Sequence, residues 1–401
     1  MKKKNTSPLL ERTKGGLTSV IAALICIVIG LIFGLVFLFI LDAEHAWKEG
    51  FVPIIQAGFR NVGNETLKKV GMNWATVGQE IVEAAPLIMT GLSVAFAFKT
   101  GLFNIGAAGQ YTVGAFGGLF CAIVLHLPWW ACLLVATLFG ALWGAIPGLF
   151  KAYLNINEVI TSIMFNWIGL YAVNTLIYNR GNGVMYNLKQ SQTYALKDVS
   201  PRSLIPSKLF GWDMYGTFKY GSISIAIFLA ILVAVVILVI LNKTTFGYEL
   251  KACGHNASAA KYAGINEKRS IVLAMVIAGA LAGFGAGLYY LAGGAQWDPQ
   301  NSTALPSAGF DGISVALLAS LNPVGCIFSG LFISHLSTGG AQMTQIYFPS
   351  EIADVVSGII IYLCAFSSLF KGKILSLLSR PAKAKEKATE QTAKEKEGNE
   401  Q

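Results

Sequence analysis

Asn104 and Gln110 stand six residues apart in "GLFNIGAAGQYTVGAFGG", residues 101–118, where glycine and apolar side chains fill most other positions. A side-chain amide donates and accepts hydrogen bonds but carries no charge. Its chemistry is the binding of a polar, uncharged group, with no acid–base or nucleophilic step. Asn166 offers the same chemistry between Phe165 and Trp167. On a helix, Glu158, Ser162 and Asn166 fall within about 80° of one face. Glu158 has a simpler use, because Asn155 three residues earlier gives the spacing of a capping box. Gln79, Glu83 and Thr90 share a further face.

These side chains sit in hydrocarbon-like sequence, so their partners matter. The chain of 401 residues is 54% hydrophobic and 13% charged, with mean hydropathy +0.58; soluble domains average about 25% charged. Nine apolar runs recur, at 17–41, 77–98, 102–125, 128–150, 156–178, 223–241, 271–291, 313–336 and 352–370. Most reach the ~20 residues that a membrane-spanning helix needs, and the fold class expected is an all-α polytopic membrane protein. An unpartnered polar group in hydrocarbon costs several kcal/mol. Each amide therefore faces protein, water or solute. Phe103, Asn104, Gln110, Asn166 and Trp167 are the expected lining of a solute pathway, and hydrogen bonding between helices is the other reading of the amides. Glycines 106, 109, 114 and 117 allow close helix approach. Gly279, Gly283 and Gly287 form a double GxxxG, which is assigned to helix packing.

The run 313–336 is interrupted by "SLNPVG", where Asn322, Pro323 and Gly325 break a helix. A broken element there brings the count to about ten and places both termini on one side. Lysine and arginine then divide 20 inside and 10 outside, which assigns the cytoplasm to the termini. The first run exceeds a signal-peptide core of about 7–15 residues and reads as an uncleaved anchor. The expected organisation is a cytoplasmic N-terminus at 1–16, a transmembrane domain at 17–370 and a charged, disordered tail at 371–401. Within the domain, 179–221 is an outer loop and 242–270 a cytoplasmic one.

Several chemistries find no support. No GxxxxGK[ST], GxSxG or HExxH occurs, so neither ATP binding through a P-loop nor hydrolysis is expected of this chain. The six cysteines avoid the outer loop, and the four histidines are scattered, which leaves no metal site or cofactor to expect. The net charge of +9 is accounted for by basic loops against anionic lipid, and no nucleic-acid partner is needed.

The inner loop reads "NKTTFGYELKACGHNASAAKYAGINEKRS". Asn256 suits a helix N-cap, Ala257 to Tyr262 a short helix, and Gly264 a left-handed exit. Asn266 then caps the following span, with Glu267 in its first turn. Ala257, Ala259, Ala260 and Ala263 give this helix a face of small residues, better shaped for a groove on another protein than for the lipid surface, which is the other reading.

Four stretches together carry a resemblance that extends from residue 77 to 370. They are "GLSVAFAFKTGLFNIGAAGQ", "NEVITSIMFNWIGLY", "TTFGYELKACGHNASAAKYAGIN" and "GFDGISVALLASLNPVG" with "PSEIADVV". The chain resembles permease subunits of ABC importers in the branched-chain amino acid, ribose and nucleoside superfamily. It is most similar to nucleoside permeases that work with a basic-membrane-protein-type binding lipoprotein. The resemblance implies a type II importer-like fold in the cell membrane and transport without enzymatic activity. It also implies a separate ABC ATPase subunit, a binding lipoprotein and a second homologous permease, in a heterodimer rather than a homodimer. By the same resemblance the coupling residues are Gly254, Asn256, Ala259, Ala260, Gly264 and Asn266. Sugar or branched-chain amino acid transport is the alternative within this machinery. A stand-alone secondary transporter ranks lower, because the spans lack charges in their middles. One departure is Ala108, where many relatives carry an acid before the Gly-Gln pair.

Overall fold

The computed structural model describes residues 8–59, 72–180, 183–299, 304–343, 347–348 and 350–365. The expected tail at 371–401 lies outside the described residues, as do residues 1–7. Twelve helices carry the architecture: α1 (Pro8–Leu41), α2 (Trp74–Lys99), α3 (Ala107–Ile123), α4 (Trp129–Leu154), α5 (Glu158–Thr175), α6 (Ala226–Lys243), α7 (Thr245–His255), α8 (Ala257–Tyr262), α9 (Glu267–Tyr290), α10 (Ser307–Leu318), α11 (Pro323–Ala341) and α12 (Ser350–Ala365). Seven of them are long and apolar enough to cross a membrane, while α3 and α10 are shorter apolar helices. The all-α polytopic class expected from composition is the one observed.

The interrupted run resolves into α10 and α11. Ser320 and Leu321 take positive φ values of 50° and 60°, which no continuing helix allows. Asn322 restarts the chain by accepting the Val324 amide on Oδ1 at 3.0 Å, and Pro323 occupies the first turn, where its missing N–H costs nothing.

α2 is the most deeply buried span. It packs on α9, α10 and α11, and α9 in turn lies along α4. That last contact is close because small residues face each other. A Cβ on Gly283 would meet Gly140 Cα at 2.9 Å, and one on Gly279 would meet Gly144 Cα at 3.0 Å. Gly287 faces Leu133 and Ala136 in the same seam.

The α4–α5 junction departs from the capping box expected of Asn155 and Glu158. Asn155 is left-handed at φ 53° and ends α4. Asn157 is the N-cap of α5, accepting the Val159 amide at 2.8 Å. Glu158 instead pairs with Lys151 across the junction at 3.0 Å. A capping box needs an extended first residue, and the left-handed turn at Asn155 removes it.

Between α5 and α6 the connecting segment folds into two small hairpins, β1–β2 (Tyr186–Asn187, Gln192–Thr193) and β3–β4 (Lys208–Leu209, Trp212–Asp213). It is fastened to the helix ends. The Thr193 amide donates to Trp297 O at 2.8 Å, and the Ile205 amide donates to Leu291 O at 2.9 Å. Ser203 donates its hydroxyl to Leu127 O.

Candidate functional site

The amides named from sequence are buried and paired. Asn104 and Gln110 are 0% and 1% exposed. Asn104 Nδ2 donates to Gln110 Oε1 at 2.8 Å, and Gln110 Nε2 donates back to Asn104 Oδ1 at 3.1 Å. Asn104 Nδ2 also reaches Ser93 Oγ at 3.0 Å, and that hydroxyl donates to Ala278 O of α9 at 2.6 Å. The pair therefore ties the turn before α3 to α2 and α9. Asn166 on α5 accepts the Gly109 amide at 2.8 Å and donates to Ile105 O at 3.0 Å. Gly109 is glycine for a visible reason, since a Cβ there would sit 2.7 Å from Asn166 Cα.

The two aromatic residues named with these amides lie elsewhere. Phe103 is half-buried and packs on Phe98, with ring centroids 5.0 Å apart. Trp167 is 40% exposed and stacks on Tyr171 at 6.0 Å. Both of those rings border a shallow apolar depression on the outer face of α5. Ala108, where the family pattern favours an acid, is buried with Gly309 of α10 seated directly against it.

A cavity of about 270 Å³ opens between four helices, walled by Glu83 and Leu87 of α2, Tyr111 of α3, Tyr289 and Tyr290 of α9, and Asp311 of α10. Glu83 is held by two donors, Gln79 Nε2 at 2.8 Å and Thr338 Oγ1 of α11 at 3.2 Å. Asp311 takes a hydrogen bond from Ser307. Tyr289 and Tyr290 meet edge-to-face at 5.3 Å, and Tyr290 also faces Tyr111 at 6.3 Å and Trp297 at 5.8 Å. Two acceptor carboxylates thus face a wall of aromatic rings. Sequence reading missed Tyr111, Tyr289, Tyr290 and Asp311. The signal available was the acid in "GFDGI", two residues before an apolar run.

The loop between α6 and α9 has the local form read from its residues. Asn256 Oδ1 accepts the Ala259 amide at 3.0 Å, α8 follows, and Gly264 exits at φ +83°. Asn266 Oδ1 accepts the Arg269 amide at 3.1 Å and starts α9. Ala259 is exposed and Tyr262 is 95% exposed, whereas Ala260 is 4% exposed. Gly254 near the end of α7 lies on the backbone at the end of α2. A Cβ there would sit 2.6 Å from Thr100 C and 2.7 Å from Gly101 N. Gly101 is itself left-handed at φ +75°, and it begins the stretch that holds Asn104 and Gln110.

The fold is thus a bundle of membrane-length helices with a capped loop between two of them and a cavity among the others. The family model described as branched-chain amino acid transport system / permease component matches residues 76–365, and the chain belongs to that family. It is 34% identical to the nucleoside ABC transporter permease protein NupB of Lactococcus lactis subsp. cremoris, over 94% of this chain and 98% of that protein. It is 36% identical to the guanosine ABC transporter permease protein NupP of Bacillus subtilis, over 73% and 81%. A second Lactococcus lactis protein, the nucleoside ABC transporter permease protein NupC, is 25% identical over 66% of this chain and 82% of its own length.

Proposed function

We propose that this chain is the membrane-spanning permease subunit of an ATP-driven importer of nucleosides. The reading is carried by the likeness to NupB, which extends over nearly the full length of both chains. The cavity supports it chemically. Tyr111, Tyr289 and Tyr290 offer faces and edges to a nucleobase, and Glu83 and Asp311 accept hydrogen bonds from ribose hydroxyls or base N–H groups. About 270 Å³ lies near the lower end of ligand pockets, roughly 300–1,000 Å³, as suits a small solute passing through. In this reading Asn104, Gln110 and Asn166 form the wall behind the route. Their hydrogen bonds fix the turn that leads into α3, the helix that carries Tyr111, and Phe103 backs that turn.

The partners follow from the same reading. A separate ATPase subunit docks on α8, with Ala259 as the close contact, while Gly254, Asn256, Ala260, Gly264 and Asn266 hold the helix in place. NupB and NupC from one organism both resemble this chain, which supports a second, different permease subunit. The exposed face of α5, with Trp167 and Tyr171, is where that subunit would close the route. A binding lipoprotein delivers the solute from outside, and both termini lie in the cytoplasm of a cell-membrane protein.

The test is ATP-dependent uptake in proteoliposomes holding this chain with its ATPase, second permease and binding protein. Labelled guanosine or uridine should enter at least about tenfold faster than ribose or leucine. Entry of ribose or leucine in place of nucleosides would move the chain to the alternative substrates. Uptake driven by an ion gradient without ATP would make it a secondary transporter. For the orientation, a cysteine replacing Glu390 should react with impermeant reagents only after cells are opened; labelling of intact cells would reverse the tail.

A further inference from the structure

The β3–β4 hairpin turns through Phe210 and Gly211, with φ values of +47° and +87°. Two positive φ values in a two-residue turn favour Asn-Gly or Asp-Gly, and a bulky aromatic is a poor choice there. Phe210 is nevertheless 102% exposed. Among the described residues no ring contact holds it. Its ring is free to meet something outside the chain.

The position of the hairpin says what lies there. Trp212, across the turn, faces Phe228 in the first turn of α6, with ring centroids 6.4 Å apart. Phe228 heads an exposed apolar stripe that continues down α6 through Leu232, Val235, Val236 and Val239. Such a stripe on a membrane-spanning helix is the lipid-facing side. Trp212 also meets Phe218 at 6.1 Å, and Phe218 meets Trp74 at 5.8 Å, in the first residue of α2. The hairpin is thus joined to a ring of aromatics level with the outer ends of two spans. Trp and Tyr gather at that depth in membrane proteins. Lys208 precedes the tip and Lys219 follows the short helix Met214–Phe218; both are exposed, and their ammonium groups can reach lipid phosphates from apolar stems.

We infer that the hairpin Lys208–Asp213 is an interfacial anchor, with Phe210 and Trp212 inserted among the headgroups and upper acyl chains of the outer leaflet. The anchor would hold the outer segment at a fixed height above the helices to which Thr193, Ser203 and Ile205 fasten it. A docking tip for the binding lipoprotein is the competing use, and the experiment separates the two.

Phe210→Cys is made in a cysteine-free version of the full chain, labelled with the fluorophore NBD and placed in phosphatidylcholine–phosphatidylglycerol nanodiscs. Because the side chain is fully exposed, the variant leaves the fold untouched. The expected result is blue-shifted emission, quenched several-fold more strongly by shallow doxyl-labelled lipid than by aqueous iodide. Emission at the water-exposed wavelength with strong iodide quenching overturns the anchor. So does a shift that occurs only when the binding lipoprotein is added, since that outcome makes the tip a protein-docking site.

Discussion

The loop around α8 and the amide cluster around Asn104 are both built on asparagine, yet the two regions behave differently. In the loop each asparagine serves its own neighbourhood: Asn256 accepts from a residue three positions on, and so does Asn266. In the bundle, Asn166 reaches 57 and 61 residues back along the chain, and Ser93 reaches 185 residues forward. The same side-chain chemistry thus sets a local turn in one place and locks three helices together in the other. The lesson is that a buried amide's role depends on how far away its partner lies. The amides are satisfied by protein, which is the other reading given for them, and the cavity is walled by tyrosines and carboxylates.

The largest effect that would sharpen this contrast is at α8. Ala259→Trp should reduce uptake by at least about tenfold, a loss of about 1.4 kcal/mol or more in coupling, at normal membrane abundance, because the exposed position leaves the fold alone. Ala260→Trp should lower abundance instead, because that side chain is buried. Uptake assayed against folded protein separates the two variants, and wild-type transport in Ala259→Trp would remove the docking assignment.

A smaller effect is expected in the bundle. Asn166→Leu removes two hydrogen bonds and leaves the Gly109 amide bare. Hydrogen bonds between membrane helices average about 0.6 kcal/mol and reach about 1.7, so the two together should lower stability by about 1–3 kcal/mol. Thermal unfolding in detergent reads this loss, and uptake per folded molecule should change little. If Asn104→Leu and Asn166→Leu unfold like the wild type but fail to transport, the amides line the route and the contrast collapses.

The smallest effect is at the cavity. Asp311→Asn keeps the shape and removes an acceptor, costing about 1 kcal/mol for one hydrogen bond. The KM for nucleoside should rise about fivefold with thermal stability unchanged. An unaltered KM would take Asp311 off the route.

The sequence by itself determined what depends on short-range rules. Apolar runs of about 20 residues gave the spans, because a bilayer has a fixed thickness. Asn-Pro with a nearby glycine marked the break between α10 and α11, and Asn256 and Gly264 marked the ends of α8 and Asn266 the start of α9, because caps act within three or four residues. Four stretches together, from "GLSVAFAFKTGLFNIGAAGQ" to "GFDGISVALLASLNPVG" with "PSEIADVV", pointed to the family. Tertiary structure decided the rest. Only folding brings Asn166 to Gly109, Gly254 to Thr100, and Tyr111, Tyr290 and Asp311 to one cavity, since these residues are separated by tens to hundreds of positions. The Asn155–Glu158 pattern shows the limit even at short range, for the same spacing was overridden when the chain turned left-handed to end α4. A hydrogen bond to a distant helix leaves no periodic trace in sequence, because its geometry is set by how helices pack and not by spacing along the chain.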